Sequence, residues 1–117
     1  MNVEEVRAFC LSLPHTTEDF PFDAETLAIR VAGKIFTLIP LEKPGSMNLK
    51  CDPERAIQLR EEYDAIKPGY HMNKKYWNTV QFNSLTPILT KELIQHSYDL
   101  VFNSLSSKLK KELSTII

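Results

Sequence analysis

The chain predicts an α+β domain, a two-layer sandwich of an antiparallel sheet covered by helices, and three patterns predict it. Apolar residues recur at three- and four-residue steps near both ends, β-rich runs fill residues 26–51, and one further strand-like run precedes the last long helix. There is no βαβ alternation and no Gly-rich phosphate loop, which argues against a nucleotide fold and leaves no cofactor motif. A length of 117 residues suits one domain, residues 1–117, long enough to bury a core without staples.

In the first helix Val3, Val6, Phe9, Cys10 and Leu13 share a face, with Asn2 as N-cap and Pro14 beyond the end. Residues 14–23 hold two prolines and several turn formers and read as an irregular connection pinned by Phe20 and Phe22. Thr26 to Ala32 and Lys34 to Leu41 read as a hairpin turning at Gly33, whose missing Cβ permits φ > 0. The second of these strands is apolar on both faces and is expected to be central. After the turn Glu42-Lys43-Pro44-Gly45, Ser46 to Cys51 completes a three-stranded meander. Asp52 and Pro53 then open a helix as N-cap and first residue. Trp77 to Phe82 is the last strand, and Thr86-Pro87 begins a long helix with Leu89, Leu93, Ile94, Ser97, Leu100 and Val101 on one face. A short Lys-rich helical turn follows from Ser107.

Charge and cysteine content narrow the function classes. A net charge of −1 gives no global field toward nucleic acid or an anionic membrane, although residues 1–25 sum to −5 and the remainder to +4. No apolar run is long enough to span a bilayer and the start is acidic, so a cytoplasmic protein without membrane contact is expected, with a monomer as the default. Cys10 and Cys51 lack the clustering of a zinc site or a disulfide framework and read as buried small apolar residues.

The segment Pro68-Gly69-Tyr70-His71-Met72-Asn73-Lys74-Lys75-Tyr76-Trp77-Asn78-Thr79-Val80 resembles the signature of the MmcQ/YjbR family. The resemblance extends through Leu11-Ser12-Leu13-Pro14, Asp19-Phe20-Pro21-Phe22, the strand pair around Gly33-Lys34, and Lys50-Cys51-Asp52-Pro53-Glu54-Arg55-Ala56, so only the last dozen residues are unmatched. It implies a CyaY-like (frataxin-like) fold and the family's usual label, a DNA-binding protein with two projecting loops or hairpins. One departure is Tyr76, where members of the family often carry a histidine before the tryptophan; tyrosine can still stack or hydrogen-bond there.

The residues of that segment suit nucleic acid on their own chemistry. Lys67, Lys74 and Lys75 can neutralise phosphates, the rings of Tyr70, His71, Tyr76 and Trp77 can stack on unpaired bases, and the Asn73 amide can bond a base edge. The structural alternative is that Tyr70 and Trp77 belong to the core or its rim, that the lysines keep a loop soluble, and that Asn73 caps the turn at Lys74-Lys75. Lys43, Arg30 and Lys34 extend a basic strip or protect strand edges. The leading expectation is a weakly or non-sequence-specific nucleic-acid-binding module; the alternative is a protein- or small-ligand-binding adaptor that uses the same loop and the groove beside Trp77.

No catalytic or metal site is expected. Cys10 lies on the apolar face of its helix, where a reactive thiolate is disfavoured. Glu18, Asp19 and Asp23 near His15, with Glu4 and Glu5, offer an acidic ridge of a kind that can hold iron, but such acids more commonly form a solvated end that favours a helix N-terminus.

Overall fold

The computed structural model describes residues 1–69 and 71–116, without the side chains of Thr115 and Ile116. Its first helix, α1 (Val3–Ser12), starts with a capping box: Asn2 Oδ1 accepts the Glu5 N–H at 2.8 Å, and Glu5 Oε1 accepts the Asn2 N–H at 3.0 Å. The chain then enters strand β1 (Thr16–Asp19), a correction to the irregular connection expected there. These four polar residues show no apolar alternation because β1 is an edge strand, whose Glu18 is held by Arg7 of α1 and whose Asp19 is held by Arg30.

Strands β2 (Thr26–Val31), β3 (Lys34–Pro40) and β4 (Ser46–Lys50) form the expected meander. The β2–β3 loop is Ala32-Gly33, with φ of +48° and +85°; two successive left-handed residues make the primed turn that matches strand twist. The register slips between Ile29, opposite Thr37, and Arg30, opposite Ile35, so Phe36 is an extra residue in β3. This bulge buries Phe36 completely, and its ring meets Tyr98 edge-on at 5.4 Å.

Helix α2 (Pro53–Glu62), capped by Asp52, leads to β5 (Ile66–Pro68), a three-residue strand that the sequence pattern did not reveal. Strand β6 (Trp77–Gln81) pairs with both β4 and β5, and the run expected to continue through Phe82 instead turns there into a 3-10 helix, Phe82–Ser84. Among the described residues the antiparallel sheet has the order β1-β2-β3-β4-β6-β5. Helix α3 (Pro87–Asn103) lies across the central strands, with α1 near β1 and α2 near β5. The C-terminal Lys-rich segment is longer than the single turn expected: α4 spans Ser107–Ile116.

The core lies between sheet and helices. Phe36, Ile39, Met47, Val80, Ile94 and Phe82 are essentially inaccessible there, each large apolar side chain contributing about 1.5–3 kcal/mol by leaving water. Ser97 bridges the layers: its hydroxyl donates to the Phe36 carbonyl at 2.6 Å and accepts the Lys50 N–H at 2.9 Å, which satisfies two backbone groups left by the bulge and the short β3–β4 ladder. Among the described residues no helix is long and apolar enough to cross a membrane.

Candidate nucleic-acid interface

Among the described residues the other face of the sheet carries no helix. One row runs unbroken through the register of all six strands: Asp19, Ala28, Leu38, Asn48, Thr79 and Lys67. Its composition passes from an acid at one edge, through small and apolar residues, to a hydrogen-bonded amide–hydroxyl pair and a lysine at the other. Thr79 Oγ1 donates to Asn48 Oδ1 at 2.6 Å. Loops fold over part of this face and leave a groove of about 440 Å³, floored by Leu38, Asn48 and Thr79 and bordered by Phe22, by Glu42 and Lys43, and by His71 and Met72.

The 67–77 segment borders this face at its β5–β6 end. Lys67 stands on β5 directly across from Thr79. Gly69 is required by close approach: a Cβ there would lie 2.9 Å from the Trp77 Cβ and 3.0 Å from the Trp77 carbonyl oxygen, which accepts the Gly69 N–H. Tyr70, expected as a stacking residue, lies outside the described residues. His71, with φ of +58°, lines the groove. Asn73 serves the turn, as its capping alternative predicts: Oδ1 accepts the Lys75 N–H at 3.0 Å, and its carbonyl accepts from the Tyr76 and Trp77 amides.

Lys74, Lys75 and Tyr76 are exposed at the loop tip, with the Lys75 ammonium 5.4 Å from the Tyr76 ring centroid. Trp77 is half-buried opposite Lys50, so a fourth lysine joins the cluster that the sequence outlined. Beneath the loop is a brace that the sequence reading missed. Arg60, from α2, donates through Nε to Asn78 Oδ1 at 2.6 Å and through its terminal guanidinium nitrogen to the Lys74 carbonyl. The signal for it was Asn78 itself: an amide on the side of the strand otherwise taken by Val80 and Phe82 needs a partner, and Asn78 is 2% exposed.

All four arginines are thus engaged with other parts of the chain: Arg7 with Glu18, Arg30 with Asp19, Arg55 with Glu92, and Arg60 with the loop. Lys50, Lys67, Lys74 and Lys75 take part in no ion pair among the described residues. Acids gather instead at the opposite side of the groove, where Glu42 holds the Glu25 carboxyl above its ordinary range and Asp23 accepts the Glu25 and Thr26 amides. Acids therefore outnumber bases on that side, where Lys43 stands beside Glu42, while Lys67, Lys74 and Lys75 lie toward the other.

The remaining candidates are drawn elsewhere. Burial pushes the Cys10 thiol up to about 12 and the Cys51 thiol to about 11, which keeps both protonated and poorly nucleophilic at neutral pH. Four of the five ridge acids are engaged singly: Glu5 in the capping box, Glu18 and Asp19 in ion pairs, Asp23 in its turn. Among the described residues no three His, Cys, Asp or Glu side chains converge to hold a metal ion.

Known proteins resemble this chain in sequence and in fold. The YjbR family model matches residues 11–100. YbdF of Escherichia coli, an uncharacterised protein, is 36% identical over 110 residues, covering 92% of this chain and 90% of its own. YjbR of Escherichia coli, also uncharacterised, is 28% identical over 113 residues, covering 95% and 96%. The crystal structure of Deinococcus radiodurans protein DR2400, of domain DUF419, superposes with a TM-score of 0.88 at 39% identity, over 96% of this chain and 87% of that one. A Pseudomonas syringae protein superposes with a TM-score of 0.74 at 29% identity, over 86% and 99%. With a family match over most of its length and a relative that it covers almost end to end, the chain belongs to the YjbR family.

Proposed function

We propose that this protein is a non-catalytic nucleic-acid-binding module of weak or no sequence specificity, acting through Lys50, Lys67, Lys74 and Lys75 with Tyr76 and Trp77. The observation that carries the reading is the division of the cations: every arginine is engaged within the fold, while four lysines with no ion pair among the described residues surround one aromatic corner. Ammonium groups held only by flexible stems suit phosphates, which position a strand without reading its sequence. A net charge of −1 keeps this attraction local and the binding weak.

Salt dependence tests it. If four lysines neutralise four phosphates of a single strand, the affinity for a labelled oligonucleotide falls roughly 50-fold between about 50 and 200 mM salt. In the Lys74→Ala/Lys75→Ala variant the loss over the same range shrinks to roughly sevenfold. Fluorescence anisotropy measures both, and absence of binding at the lower salt would remove the reading.

The groove supports a second reading, a small-ligand or peptide adaptor. Its volume lies within the usual range for small-molecule sites, and it joins an apolar floor to a few polar groups. Binding of that kind should respond little to salt.

A further inference from the structure

The groove and the lysine corner adjoin, since Lys67 lies across from Thr79 of the groove floor. Asn48 accepts the Thr79 hydroxyl through Oδ1, while its amide nitrogen donates to nothing among the described residues; the floor therefore offers N–H donors beside the apolar Leu38. Phe22 stands at the border with 67% of its surface exposed, far more than a ring of its size retains when a fold needs it for packing. Lys67 lies across from Thr79 at the near edge, whereas the other side carries Glu42 and Glu25 beside Lys43, two acids to one base, and is the poorer side for phosphate. A flat group that carries hydrogen-bond acceptors and no charge fits this floor, and its attached phosphates would remain on the lysine side.

We infer that the groove seats one unpaired nucleobase of a single strand whose phosphates run along the Lys67–Lys75 edge, with Phe22 stacking on the base and the Asn48 amide donating to its edge. This rests on the nucleic-acid reading above and adds to it a preference for single strands. A duplex keeps its bases paired and stacked and would have to extrude one to fill the groove, at an unstacking cost. Stacking tolerates any base, so the seat adds affinity without strong sequence choice.

The test uses the full chain, a labelled oligonucleotide of roughly ten nucleotides as a single strand and as a duplex, and anisotropy at about 50 mM salt. The wild type is expected to bind the single strand more tightly. Phe22→Ala should weaken single-strand binding about fivefold or more and leave duplex binding unchanged, because an exposed ring contributes little to folding. Asn48→Ala should act in the same direction, with folding checked by circular dichroism. Equal affinity of Phe22→Ala and wild type for the single strand would overturn the base seat. If the Lys74→Ala/Lys75→Ala variant then still lost binding to both forms, the nucleic-acid reading would stand without the seat. If the wild type bound neither form, both would fall and the groove would be left to a small ligand.

Discussion

Alternate residues of the same strands build the two faces of this sheet, yet one is sealed by helices and the other is only partly roofed by loops. On the helix side Phe36, Ile39, Met47 and Val80 have no more than 2% of their surface exposed, and Ser97 satisfies the backbone groups that the bulge frees. On the loop side the floor includes an amide and a hydroxyl, and Phe22 at its border keeps 67% of its surface exposed. Period-two alternation thus lets one strand present a packed face on one side and an open one on the other. Substitutions should separate in the same way.

The largest expected effect breaks the sealed face. Phe36→Ala removes a fully buried ring together with its edge contact to Tyr98, for a loss of about 3–5 kcal/mol. Urea denaturation measures it as a lower midpoint with an unchanged slope. Phe22→Ala, on the open face, should stay within about 0.5 kcal/mol of wild type in the same experiment. Similar losses from both would show that the open face is as structural as the sealed one.

Arg60 joins the two layers, since it starts on a helix of the sealed side and ends at the backbone of the lysine loop. Arg60→Ala leaves the inward Asn78 amide and the Lys74 carbonyl without their charged donor, at a cost of about 1.5–3 kcal/mol. The more specific consequence is local: amide hydrogen exchange at residues 74–77 should quicken more than at the α3 core positions. Uniform exchange throughout the chain would mean that Arg60 contributes to global stability alone and does not order the loop.

These cases also show how far the sequence could be read. The meander, its Gly33 turn, the helix caps at Asn2, Asp52 and Thr86, and the lysine loop all rest on local chemistry, and each is found where the residues place it. Strand β1 was missed because its two inward positions are Thr16 and Glu18, which give no apolar alternation, and β5 because three residues ending in proline are too few to show a period. The Phe36 bulge shifts a strand by one residue without a glycine to mark it. The sequence anticipates a groove beside Trp77, but the lining of the one found could not be read: its borders come from loops near residues 22, 42 and 71, which only the folded sheet brings together.

The smallest expected effect is a pH dependence on the sealed side, at the junction of α2 and α3. His96 Nε2 accepts the Asp52 N–H at 3.1 Å, a bond that only the neutral ring can make. Burial, helped by the Arg55 guanidinium and opposed by the carboxylates of Glu92, Asp52 and Asp99, holds the ring below its ordinary 6.5. A lowered value means that the unfolded chain binds the proton more readily, so the stabilisation is complete above about 6.5 and drains away as the pH falls through the folded value. Glu25, held above its ordinary range by Glu42, changes in the opposite sense over acidic pH, and the comparison must cancel it. His96→Gln does so: the glutamine oxygen can accept the same N–H without titrating, while Glu25 is common to both proteins. The wild type should therefore lose more of its urea midpoint than the variant when the pH is lowered from above to below 6.5. Parallel losses would place the acid sensitivity outside the α2–α3 junction.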